Sequence, residues 1–196
     1  MIMYFLPILA PAILLVVAAT VHLRRDLAPR TAALAAEGAT LLALAVALGS
    51  FAVLVDAGPG DGPLAGVAGV GVSTRLDVVS VTMLLLVAFI GWVVTRYART
   101  YLEGEARQTT FTIRLLGTLA AVMTLVQAGN VILFVFAWVA TSMCLHNLLL
   151  FYPGRIAAQR AARKKFLTAR AGDAALILAA VLLTVAYGTT QITDIL

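Results

Sequence analysis

Charge is scarce in this chain. Only 12% of its 196 residues are Asp, Glu, Lys or Arg, against 62% hydrophobic, and the mean hydropathy is +1.03. A water-soluble domain of this length needs more polar surface than that, so the composition excludes one. Cysteine is scarcer still. Cys144 stands alone inside an apolar run, which rules out a disulfide framework and any CxxC metal pair. The two histidines, His22 and His146, lie far apart, and HExxH and GxSxG are both missing. A metal or nucleophilic active site made by this chain is therefore not expected, and no cofactor is assigned to it. The loop 56–77, "DAGPGDGPLAGVAGVGVSTRLD", is glycine-rich but contains no GxxxxGK[ST] and follows no strand. It reads as a flexible loop or short hairpin rather than a phosphate cradle. No repeat of 20–50 residues is found.

What the chain has in abundance is apolar sequence. Six runs, at 3–22, 34–55, 77–95, 111–128, 130–150 and 164–187, are each long enough to cross a hydrocarbon core of about 30 Å as a helix. Backbone polar groups in lipid must pair internally, and no segment alternates as a barrel strand does. The expected fold is a single all-α integral membrane domain of six helices over 1–196. Pro7 and Pro11 predict a kink in the first helix. No Lys or Arg precedes that helix, unlike a secretory signal, so it is expected to be retained.

The positive charges are unevenly spread. With the N-terminus outside, the inner connections carry Arg24, Arg25, Arg30, Arg96, Arg99, Arg107, Arg155, Arg160, Arg163, Lys164 and Lys165, and the outer ones carry only Arg75. The positive-inside rule selects this orientation in a bacterial inner membrane. The basic balance thus belongs at a membrane surface, and no nucleic-acid partner is implied. The connection "RYARTYLEGEARQ" mixes both signs and reads as a solvated inner loop.

Polar groups within the spans are the candidates for chemistry, because each is costly in lipid. Ser142 and His146 are i,i+4 neighbours on the fifth helix, with Trp138 and Thr141 close to the same stripe. His146 can carry a proton near neutral pH, or it can simply be satisfied by a neighbouring helix. In "RAARKKFLTARAGDAALILAA" (160–180), Arg163, Arg170 and Asp173 fall on one face with Gln159 and Phe166 beside them. Arg170 and Asp173 are spaced i,i+3 to form an ion pair, structural or conductive. Lys164 and Lys165 open the apolar run and suit the inner interface. Asp77 is placed to cap the third helix, and Gln127 and Asn130 to make the turn between the fourth and fifth.

These motifs carry a resemblance. "RLDVVSVTMLLLVAFIGWVVTRYARTYLEGE" (75–105), "NVILFVFAWVATSMCLHNLLLFY" (130–152) and "KKFLTARAGDAALILA" (164–179) resemble, in order, segments of the proton-translocating antiporter-like membrane subunits. Those include subunit L of NADH-quinone oxidoreductase and the Mrp-type antiporters. Lys164, Arg170, Gly172 and Asp173 match the family pattern. Val139 departs from it, since respiratory members carry a glutamate after the tryptophan. The pattern is most similar to a divergent branch, the DabB-type membrane subunit of inorganic-carbon accumulation complexes. The resemblance implies the N-terminal part of a fourteen-helix fold, and hence a fragment or one piece of a split subunit. It implies a cation path, most plainly for protons, through His146, Ser142, Lys164, Arg170 and Asp173. It also implies a large DabA-like soluble partner that holds zinc. Two other readings stay open: a proton-pumping subunit L among respiratory partners, and a structural membrane scaffold.

Overall fold

The computed structural model of the chain describes residues 2–24, 26–67, 70–151, 154 and 156–195. Its six long helices are α1 (Leu9–Leu23), α2 (Pro29–Ala57), α3 (Val78–Tyr101), α4 (Gln108–Val126), α5 (Val131–Leu149) and α6 (Ile156–Tyr187). A short α7, Ile192–Ile195, follows. All six are long and apolar enough to cross a membrane, α1 together with the turn before it. Arg25 and Arg155, two of the residues expected in the inner connections, lie outside the described residues.

The helices outrun the apolar runs. Helix α2 starts at Pro29 rather than near 34, and α6 at Ile156 rather than 164. Hydropathy marks only the part that lipid must cover, whereas backbone hydrogen bonds propagate into the interface wherever nothing stops them. Proline at the first position of α2 supplies a preset φ without losing a needed N–H. The two early prolines act similarly. Pro7 sits in a 3-10 segment, Ile2–Ile8, and Pro11 in the first turn of α1, where N–H groups have no helical partner anyway. The expected kink is thus a change of helix type at Ile8, before α1 begins.

Small residues set the packing. Ala32, Ala36, Ala39, Ala43, Ala47 and Ser50 recur every three or four positions along α2 and are all buried. With no hydrophobic drive between helices in lipid, such a stripe lets backbones approach closely. Helix α2 packs on α3 and α1, α1 on α4, and α4 on α5. Leu14, Leu84, Leu116 and Met123 fill the centre. Large side chains such as Leu42, Phe51, Phe89 and Leu182 are exposed around the outside, as lipid contact requires. Helices α5 and α6 are the least enclosed, with 6% of each span buried against 28–33% for the others.

The helix ends form two contrasting surfaces. One end, here the basic end, gathers the α1–α2, α3–α4 and α5–α6 connections. The opposite hairpin end holds two small antiparallel ladders, β1 (Gly60–Asp61) with β4 (Arg75–Leu76) and β2 (Ala65–Val67) with β3 (Val70–Val72). The short-hairpin expectation for this loop holds. The loop is tied to the helices: Thr74 Oγ1 donates to Tyr4 O at 2.5 Å and Arg75 N to Gln127 O at 2.9 Å. Asn130 Nδ2 reaches Gly71 O at 3.0 Å, while its Oδ1 accepts from Leu133 N at 2.7 Å and caps α5. Asp77 forms a full capping box with Ser80 at the start of α3, as expected. Its partial burial alone raises the carboxyl pKa, but the Ser80 N–H and the Arg75 guanidinium outweigh that and hold it below the usual range.

Gly129 closes the α4–α5 turn against this loop. Its N–H donates to Ser73 O at 2.7 Å, and its own carbonyl accepts from Ile192 N at 3.0 Å. An added Cβ would come within 3.0 Å of the Ser73 and Thr74 carbonyl carbons, which are backbone and cannot swing away. Gly129→Ala is therefore expected to cost about 1–3 kcal/mol through forced backbone displacement. A lowered midpoint in thermal scanning of the detergent-solubilised chain is the check, and an unchanged midpoint would refute the tight approach.

Candidate functional site

Helices α5 and α6 bring the predicted residues together, but on two different faces. On the first, His146, Phe166, Arg170 and Asp173 form a line. The His146 imidazole lies 5.0 Å from the Phe166 ring centroid, and Arg170 Cζ lies 5.1 Å from the same ring on its way to Asp173. Arg170 Nη2 comes to 2.5 Å from Asp173 Oδ2. Asp173 is buried, whereas the Arg170 side chain keeps one third of its surface exposed. The pair expected from i,i+3 spacing is present, as a close charge contact rather than an aligned hydrogen bond, since neither carboxylate oxygen has a directional partner among the described residues. His146 Nδ1 is likewise buried without a partner among the described residues. Buried polar atoms of this kind call for an explanation, and water or a proton-exchanging group is the usual one.

Arg163, expected on the same face, is exposed and adds nothing to the line. Toward the hairpin end the line stops abruptly. Val139 and Ile177, the latter one turn beyond Asp173, line an apolar groove of about 380 Å³ with Ile132, Val135 and Phe136. A glutamate at 139 would have extended the series of titratable groups by one more member, and valine ends it.

The second face is an open groove of about 620 Å³ between the same helices, lined by Trp138, Thr141, Ser142, Lys164, Lys165 and Gly172 among others. Here Lys165, not Lys164, makes the inter-helix bond: its Nζ donates to the Ser142 carbonyl at 2.9 Å. Lys164 is exposed at the groove's edge. Of the two residues that open the apolar run, one is thus an interhelical tie and the other remains free to face the groove.

Two features escaped the sequence reading. Arg114 on α4 donates to Asn147 O at 2.7 Å, and Arg107 to Phe151 O at 3.2 Å. With Lys165 they place three cations on carbonyls in the last turns of α5 or just beyond its end, where the helix dipole is negative. An arginine inside "TFTIRLLG" was the available signal. The second is Glu37 on α2. It is buried and held by Arg96 and Arg99 of α3, with Arg96 Nη1 at 3.3 Å from Oε1 and Arg99 Nη1 in closer contact with Oε2. The segment expected as a solvated loop is therefore partly the last turns of α3, neutralised from inside the bundle.

Comparison with known proteins bears on this geometry. Residues 65–112 match the family model for the N-terminus of chain 5 of NADH-ubiquinone oxidoreductase (complex I), and residues 128–196 match the NADH:quinone oxidoreductase/Mrp antiporter transmembrane model. The chain is 39% identical over 117 residues to the probable inorganic carbon transporter subunit DabB of Hydrogenovibrio crunogenus, covering 59% of this chain and 23% of that protein. It is 34% identical over 161 residues to DabB2 of Halothiobacillus neapolitanus, covering 82% and 29%. Subunit L of the Escherichia coli NADH-quinone oxidoreductase is 32% identical over 120 residues, covering 61% and 20%. The chain thus spans roughly a quarter of the length of these curated relatives. Among solved structures, the archaeal membrane-bound sulfane sulfur reductase superposes with a TM-score of 0.81 at 16% identity, over 96% of this chain and 39% of that one. The Mrp complex from Dietzia sp. DQ12-45-1b gives 0.79 at 24% identity, over 96% and 20%. Both likenesses concern the fold.

Proposed function

Because the chain belongs to the antiporter-like membrane subunits of NADH:quinone oxidoreductase and Mrp complexes, we propose that it conducts cations, in the first place protons, as the membrane subunit of an inorganic-carbon uptake complex. The observation that carries the reading is the line His146–Phe166–Arg170–Asp173 ending at Val139. A half-buried histidine near a buried, ion-paired carboxylate suits proton exchange, and the apolar groove at Val139 lacks the carboxylate that the respiratory pattern uses. Similarity to the DabB proteins supports the same branch.

The residues take distinct roles. His146 and Asp173 each gain and lose a proton. Arg170 does not, because a guanidinium stays charged in proteins; it pairs with Asp173 instead. The apolar ring of Phe166 stands between His146 and Arg170. A proton passing along this line therefore crosses on water. Ser142 and Lys164 border the second groove and serve as its polar lining. In this reading the basic end faces the cytoplasm, and the partner is a large, soluble, zinc-containing DabA-like protein.

Purification of the full complex from its native membrane tests the assignment. Co-isolation of one large soluble zinc protein supports it, and co-isolation of dehydrogenase subunits would establish the respiratory alternative. His146→Ala in that complex is expected to reduce gradient-driven inorganic-carbon uptake by about 100-fold, the scale of losing one proton-transfer group. Adding an uncoupler to the wild type should have the same effect. Uptake that survives both treatments would leave only a scaffold role.

A further inference from the structure

The Glu37–Arg96–Arg99 cluster holds unbalanced charge. Two guanidiniums share one carboxylate, so one positive charge is in excess, and its distribution is uneven. Arg99 makes the closer contact with Glu37, and its side chain is one third exposed. Arg96 makes the longer contact, and its side chain is 61% exposed. The excess therefore sits at Arg96 on the outer face of α3.

That face has a definite shape. Trp92, Arg96 and Tyr97 line a shallow groove of about 570 Å³ with Tyr101. Arg96 Cζ lies 5.9 Å from the Trp92 ring centroid, and Tyr97 stacks on Tyr101 at 5.4 Å. Among the described residues, Trp92 Nε1 is a buried donor without a partner. Toward the membrane centre the same helix presents exposed Phe89 and Val93. One surface thus combines a mostly exposed, only partly neutralised cation, unsatisfied or exposed hydrogen-bonding groups, and an apolar track running from them into the bilayer. On the other side of the cluster, the cleft beside Arg30 and Arg99 also carries Glu103, which offsets the charge there.

We propose that this face of α3 is a binding site for an anionic phospholipid, with the headgroup phosphate on Arg96 and an acyl chain along Trp92 and Val93. Charge complementarity selects an anionic headgroup over a zwitterionic one, and the apolar track selects a lipid over free phosphate. The site is separate from the α5–α6 line, so it can be tested without measuring transport.

Trp92 and Trp138 are the only tryptophans, so Trp138→Phe leaves Trp92 as the sole indole reporter. The full chain carrying this change is placed in nanodiscs containing a small fraction of brominated phosphatidylglycerol or brominated phosphatidylcholine. Quenching of Trp92 by the phosphatidylglycerol is expected at about fivefold lower lipid fraction, the preference one arginine near the surface supplies. Arg96→Gln should abolish the preference and Arg96→Lys largely retain it, while Arg160→Gln, at the same end on α6, should leave it intact. Equal quenching by both lipids, or a preference that survives Arg96→Gln, would overturn the site. So would loss of the preference in Arg160→Gln to the same degree, or full competition by millimolar inorganic phosphate, which would indicate a simple anion site.

Discussion

Asp173→Asn in the intact complex is expected to reduce gradient-driven inorganic-carbon uptake to background, a loss of about 100-fold or more. Asparagine nearly preserves the shape of the carboxylate but can neither hold nor release a proton. Asp173 is a buried carboxylate at the α5–α6 interface, and the next turn toward the hairpin end is apolar. Nothing there offers a substitute. The complication is stability. Removing one partner of a buried pair can cost about 3–5 kcal/mol, though Arg170 keeps one third of its side chain exposed and hydration lessens the penalty. Transport and assembly are therefore separated by a second variant. Asp173→Asn combined with Arg170→Gln removes both charges and should restore complex levels without restoring uptake. Asp173→Glu keeps the titratable group and should retain part of the activity. Uptake in the double variant equal to wild type would show that the pair only fastens α5 and α6 to their surroundings.

The sequence made the helices legible because lipid imposes a length rule that hydropathy reads directly, and each of the six runs became one span. It also gave the Arg170–Asp173 pair, since i,i+3 spacing is a property of the helix itself. It did not give the division of the site into two faces. Lys164 and Lys165 are adjacent in sequence, and which of them reaches the Ser142 carbonyl depends on how α6 is rotated against α5. It gave neither Arg114 nor Glu37, although both stand in apolar runs. Their partners are 33 residues away at Asn147, and 59 and 62 residues away at Arg96 and Arg99, so only tertiary packing joins them. The start of α2 was missed for a related reason. Residues 29–33, "PRTAA", are too polar to count as hydrocarbon-spanning, yet they are good helix formers with proline at the favoured first position.

Glu37→Ala is expected to loosen the contact between α2 and α3. Among the described residues the carboxylate is the single anion paired with Arg96 and Arg99, and its own side chain is 10% exposed. Its loss leaves two guanidiniums on the same helix face, three residues apart, with no intervening negative charge. Both arginines retain solvent contact, so the cost is discounted from the full penalty of a buried broken pair to about 1–3 kcal/mol. In a chain of this size, at about 2–4 °C per kcal/mol, that corresponds to a midpoint lowered by roughly 2–12 °C in detergent. Glu37→Gln supplies one carbonyl acceptor in place of two carboxylate oxygens and should fall between wild type and alanine. The same variant separates a clamp from a carrier. A clamp predicts that Glu37→Gln keeps gradient-driven uptake at near wild-type levels once protein amounts are matched. A proton carrier predicts loss of uptake even at matched protein amounts, because the amide retains shape and polarity but cannot titrate. Two guanidiniums of α3 hold the one carboxylate of α2, at a place apart from the α5–α6 line, and the clamp is the outcome the geometry supports.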